Sequence, residues 1–363
     1  MFLLFVIFLF HFVIGQLIEV FKIKPLAIIM AVLLLAIVYY FTLGLEYTAD
    51  YGMYEFVFNN NFDTDYLFMR LTELSDYYHY TFHDLFALHI FVYTLIYFFF
   101  IGKFNNNIFY IFLAYIVLDY VHFSNQIRYY LGFPLMLWAF YHLYNKKYIL
   151  CIICCLIAYL SHSATIVLIT FVPMYLFLKT EFFLKYILIS SAICFIIVYL
   201  AFSLGLGRDI EHFGEYFAES GVSGIFGGLF NAMPYLIFIS FLYFQTKIYI
   251  RNNPECYTDK HFVFLYKLTF YSLVFIPASF FLQIIGHRYV MPFVVIYGIY
   301  FLYLIRNDKP KIKSRKLLGY SSICFTISLI IYILPTYILK ENHFLHEVDL
   351  MLKSIEYLNY KEW

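Results

Sequence analysis

Three ionisable residues stand where an apolar chain has little use for them. Arg128 lies in "NQIRYYLGFP", His162 in "YLSHSATIVL" and Arg288 in "IIGHRYVMPF", each bordered by greasy sequence. An ionisable group held at membrane depth costs roughly 2.5–3.5 kcal/mol on insertion scales unless it is paired or solvated. Each residue has a plain alternative. An arginine near a helix end can snorkel to the headgroups, and a histidine between two serines can satisfy backbone carbonyls at a helix break. Taken together they describe one shared polar site. Two guanidiniums suit a phosphate or diphosphate, because the planar fork makes bidentate bonds that Lys cannot reproduce. A membrane enzyme meets a diphosphate at this depth when its substrate hangs from a polyprenyl chain.

The elements that must hold these residues follow from composition. The chain has 363 residues, 64% hydrophobic, 24% aromatic and 13% charged. A soluble domain carries about 25% charged residues, so this is a polytopic helical membrane protein. No alternating barrel pattern is present. Hydropathy places about twelve spans near 2–18, 25–45, 83–101, 107–122, 129–145, 148–161, 163–178, 185–204, 231–249, 262–285, 289–305 and 317–339. The sixth and seventh are short and can form a tight or re-entrant hairpin. The first has neither the positive leader nor the cleavage site of a signal peptide and reads as a retained span.

Charge sorting sets the orientation. With Lys22 and Lys24 inside, most of the 24 basic residues fall on the cytoplasmic face, including "RNDKPKIKSRK". The opposite face keeps Arg70, Arg128, Arg208, Arg288, Lys340, Lys353 and Lys361. Arg128, His162 and Arg288 therefore share the outer face. Two outer loops are long: 46–82, with Asp50, Asp65, Glu73 and Asp76 among its acids, and 205–230, ending in "SGVSGIFGGLF". Loops of this length are often functional. The second reads as a glycine-hinged flap or as a solvated acidic loop. Of the six cysteines, Cys151, Cys154 and Cys155 sit in one apolar run and read as buried thiols. No repeat or separate soluble domain is visible, so 1–363 reads as one membrane domain.

Several stretches resemble the EpsG-like branch of the Wzy-type polysaccharide polymerases. They are "TADYGMY" at 48–54, the acidic run opening "DTDYLFMRLTELSDYYHY", the long match "NQIRYYLGFPLMLWAFYHLYNKKYILCIICCLIAYLSHSATIVLITFVPMYL", and "GHRYVMPF". The resemblance covers roughly residues 40–300. The chain departs from the pattern at Tyr129, where a polar residue is common, and at Thr48-Ala49, where a glycine-threonine-like pair is common.

The resemblance implies an all-α, GT-C-like multi-span protein of about twelve transmembrane helices in a bacterial inner membrane, with its site facing outward. It implies inverting glycosyl transfer between undecaprenyl-diphosphate-linked oligosaccharides, one the donor and one the acceptor. Arg128 and Arg288, with Arg208 from the second loop, would hold the leaving diphosphate. His162 or Asp50 would take the acceptor proton, and Asp65 would favour the oxocarbenium-like carbon. No metal, cofactor or nucleic acid is called for. The lipid bilayer is an obligate partner, and a chain-length regulator and a flippase are candidate partners. A polyprenyl-phosphate-sugar transferase using Asp50 and Asp65, or a flippase of the lipid-linked oligosaccharide, are the alternatives.

Overall fold

The structure is a computed structural model. It describes residues 10–44, 50–104, 108–112, 125–204 and 225–307, apart from 12, 16, 19, 20, 61, 63 and 110. Among the described residues it is helical, with no strand. Four stretches among these residues are long and apolar enough to cross a membrane: Phe82–Ile101, Thr180–Ser203, Lys260–Ser279 and Ile284–Asn307. Shorter apolar helices cover Lys24–Tyr40, Tyr148–Ser161 and Ser163–Phe177. The expected spans from 25–45 to 289–305 fall mostly on helix where they are described, but 262–285 is interrupted at 280–282 and 289–305 at Val290. The span at 317–339 lies outside the described residues, as do most of 107–122, much of 2–18 and residues 205–224 of the second outer loop.

The described residues fall into two compact units, one up to Ile169 and one from Thr170 onward. The first contains α1 (Lys24–Leu43), α2 (Tyr51–Asn60), α3 (Tyr66–Tyr77), α4 (Phe82–Ile101), α5 (Ile127–Tyr144) and α6 (Tyr148–Ser161). The expected outer loop 46–82 is thus largely helical. In α3, Phe68, Thr72 and Ser75 recur at helical spacing and are buried. The helix closes on His79 with φ 59°. There the Tyr80 amide donates to the Ser75 carbonyl at 2.9 Å and that of His79 to Asp76 at 3.1 Å, a Schellman stop. Four residues after Tyr77, Thr81 and Asp84 form a reciprocal capping box that starts α4.

α5 and α6 form the hairpin on which the site depends. Their turn repeats the Schellman pattern at Lys146, φ 58°, where Lys147 donates to His142 at 2.8 Å. The helices approach closely at Gly132. A Cβ there would lie 2.8 Å from Thr165 Cγ2 and 2.9 Å from the Ala158 carbonyl oxygen. α6 has 14 residues, so it rises about 21 Å at about 1.5 Å per residue, short of the roughly 30 Å hydrocarbon core. It ends at His162, whose φ of −158° and ψ of 120° are extended. The chain resumes as a 3-10 helix, Ser163–Thr170, eight residues rich in β-branched side chains that crowd an α-helix.

The second unit contains α7 (Phe171–Phe177), α8 (Thr180–Ser203), α9 (Ile225–Asn252), α10 (Lys260–Tyr271), α11 (Ile276–Ser279), α12 (Gln283–Tyr289) and α13 (Val294–Asn307). Most of Lys260–Ser279 is buried, whereas Thr180–Ser203 exposes its apolar side chains, as a lipid-facing helix does. Lys267 is buried in α10 and satisfies orphan carbonyls at the C-terminal end of α7. Its Nζ donates to Tyr175 O at 2.9 Å and Leu178 O at 2.6 Å. Other hydroxyls pair internally, as Ser272 does with Tyr297 at 2.6 Å and Thr246 with Tyr300 at 2.8 Å.

Gly132→Ala forces the α5–α6 contact apart and is expected to cost about 1–3 kcal/mol. The check is the thermal midpoint of the purified protein in detergent. Gly52→Ala, where a Cβ meets nothing within 4 Å, is expected to leave that midpoint unchanged.

Candidate functional site

The site is built around Asp65, the residue that precedes α3. Its Oδ2 lies 3.0 Å from Arg128 Nη1 and 3.6 Å from His162 Nδ1. Its Oδ1 accepts the backbone N–H of Ser163 at 3.2 Å. One carboxylate therefore meets the second residue of α5, the residue that ends α6 and the start of the 3-10 helix. The side chains are 12% exposed for Asp65 and 15% for both Arg128 and His162, so the charges meet where water screens them weakly.

Arg128 is gripped from several directions. Its Nη1 also donates to Thr64 Oγ1. Its guanidinium lies over the rings of Tyr54, 4.9 Å from the centroid, and Phe68, at 5.7 Å. Its backbone carbonyl accepts the Ser161 hydroxyl at 2.9 Å. The buried Nε–H of Arg128 makes no hydrogen bond among the described residues, so the guanidinium keeps donor capacity beyond Asp65 and Thr64.

His162 is held by its backbone and its ring. Its amide donates to the Ala158 carbonyl at 3.0 Å, and its carbonyl accepts both the Thr165 amide at 3.0 Å and the Thr165 hydroxyl at 2.8 Å. Tyr129 packs edge-on against the imidazole at 5.6 Å. Nδ1 faces the Asp65 carboxylate at 3.6 Å, an ion-pair distance longer than a hydrogen bond, and Nε2 occupies the opposite edge of the ring. A carboxylate facing one edge favours the charge the ring gains on taking a proton at the other.

The structure therefore joins three of the expected residues, Arg128, His162 and Asp65. Asp65 is the partner of both other side chains and not a separate group beside them. Asp50 stands just before α2. Its amide donates to Asn125 Oδ1 at 2.8 Å and its carbonyl accepts the Tyr54 amide at 3.0 Å, so it anchors the helix whose Tyr54 covers Arg128. Arg288 lies in α12 of the second unit, half-buried. Arg208 lies outside the described residues. Ser161 bonds across to α5, and Thr165 and Asp65 take up the groups at the break. Thr64, Tyr54, Phe68 and Gly132 were not singled out in the sequence. Aromatic and hydroxyl side chains are too common here for one to stand out, and only the capping box at Thr81 carries a local signal.

If Asp65 holds the 46–82 segment to the hairpin, removing Arg128 frees it. Arg128→Met is expected to raise tryptic cleavage at the exposed Arg70 of α3 several-fold in membranes, while sites in the second unit are cut as before. The check is the fragment pattern under limited proteolysis.

Comparison with curated proteins and with solved structures finds no match. The profile of the EpsG family matches residues 26–347, most of the chain and all of the cluster just described. EpsG-like proteins are Wzy-type polysaccharide polymerases. An apolar helical chain with a guanidinium, a carboxylate and an imidazole joined across its first unit, and with this match along its length, belongs to the EpsG family.

Proposed function

We propose that this protein is a polysaccharide polymerase of the bacterial inner membrane that joins polyprenyl-diphosphate-linked oligosaccharides on the extracytoplasmic face. The observation that carries the reading is the Arg128–Asp65–His162 cluster in a chain of the EpsG family. The donor is a growing glycan on undecaprenyl diphosphate, and the acceptor is a repeat unit on its own carrier. The acceptor oxygen bonds to the first carbon of the donor glycan as the bond from that carbon to the diphosphate breaks. The acceptor proton passes to His162 Nε2, and the lipid diphosphate leaves with the bonding electrons. One displacement inverts the anomeric centre.

Each residue has a task in this scheme. Charge builds on the leaving diphosphate, and cations already in place stabilise it without reorganisation. Arg128 supplies one such cation, with its Nε–H available for an oxyanion. Arg288 and Arg208 are the further arginines. Asp65 fixes the imidazole and the guanidinium, and it lies near the carbon that gains positive character. Its pairing with His162 supports His162 over Asp50 as the general base.

The test is the glycan ladder of a strain lacking the gene, complemented at matched expression. The null is expected to carry single repeat units on the lipid anchor. Arg128→Ala and Arg288→Ala are expected to leave the ladder absent, and His162→Ala to reduce it by about 100-fold or more, the usual worth of a general base. A normal ladder in the null would contradict the reading. Loss of surface single units as well would point to a flippase or an earlier transferase.

A further inference from the structure

Beside the cluster, within the first unit, lies a cavity of about 390 Å³ between α2 and α3. Ligand pockets are commonly about 300–1,000 Å³, apolar with a few convergent polar groups. The cavity shares its wall with the cluster, because Thr64 and Phe68 line it and both also contact Arg128. Glu73 and Asp76 line it from the next turns of α3, and the exposed ring of Phe62 flanks it.

Thr72 is the informative residue. It lines the cavity, it is 4% exposed, and its hydroxyl has no hydrogen-bond partner among the described residues. Helical hydroxyls at buried positions here usually bond the carbonyl four residues back, as Ser75 and Thr94 do at 2.8 and 2.6 Å. An orphan buried hydroxyl is costly unless something occupies the cavity. Glu73 is balanced by Arg70 at 2.6 Å, so the Asp76 carboxylate is the group that asks for donors and disfavours a further anion. Aromatic faces and a hydroxyl ask for a ring with C–H faces and O–H edges.

Resting on the polymerase reading, we propose that this cavity is a saccharide subsite. It takes an uncharged sugar ring of the lipid-linked glycan, with the sugar hydroxyls on Thr72, Asp76 and the Arg70–Glu73 pair and the ring face against Phe62. The shared wall sets the sugar one side chain away from Arg128. The division is by charge: cationic Arg128 takes the anionic diphosphate, and the acidic cavity takes neutral sugar.

Saturation-transfer NMR on the full chain in nanodiscs tests this. The probes are glucose, glucuronate, and the neutral oligosaccharides released by mild acid from the producing strain's own polysaccharide. Transfer to the neutral fragments is expected, with little to glucuronate. Thr72→Val is expected to weaken binding about tenfold. Asp76→Asn, on the exposed side, serves as the second variant should Thr72→Val lower the thermal midpoint. It is expected to weaken the neutral fragments and to narrow the preference against glucuronate. No transfer to any neutral probe, or transfer unchanged in both variants, would overturn the proposal. The readout needs no turnover. Binding beside a normal ladder in the null would therefore remove the polymerase reading alone, and a missing ladder without binding would remove the subsite alone.

Discussion

The carboxylate of Asp65 is the point at which the α2–α3 segment and the α5–α6 hairpin are held together. It meets Arg128 at 3.0 Å, His162 at 3.6 Å and the Ser163 amide at 3.2 Å. Breaking a poorly solvated ion pair by removing one partner leaves a charge with nothing to balance it. Asp65 can reach both partners only if the polypeptide before α4 folds back over the end of the α5–α6 hairpin. This is why that segment is two helices and a turn. α2 and α3 then bring Tyr54 and Phe68 against the guanidinium, which shields the pair further from water.

The second constraint is helix length. α6 is too short to cross a hydrocarbon core unaided, so its end leaves backbone groups that need partners where water is scarce. The Thr165 hydroxyl and the Asp65 carboxylate supply them. Gly132 sets how closely the hairpin packs, since Ala158, whose carbonyl receives the His162 amide, lies against it. The same break that turns the imidazole toward Asp65 is thus anchored from three sides. Preorganisation of this kind is what charge stabilisation at a leaving group requires.

The spans were legible because apolar length is a local property, readable without knowing the partners. Arg128 and His162 were legible for a related reason: an ionisable group in such surroundings has a cost that demands an explanation. The role of Asp65 was not. It lies 98 residues from Ser163, and among the many acids of its segment nothing local separates it from Asp63 or Asp76. The helices of 46–82 left a visible trace in the spacing of Phe68, Thr72 and Ser75 and in the Thr81–Asp84 box. The high polarity of that stretch read instead as loop. Tyr54, Phe68 and Gly132 act through contacts that only the fold creates.

The central claim is that Asp65, Arg128 and His162 act as one unit. A double-mutant cycle on the rate of ladder growth tests it most directly, comparing Asp65→Asn, His162→Gln and the pair at matched protein level. Residues acting together are non-additive, so the double variant is expected to fall no further than the worse single one. Losses that multiply would show that Asp65 and His162 act independently, and would contradict the account.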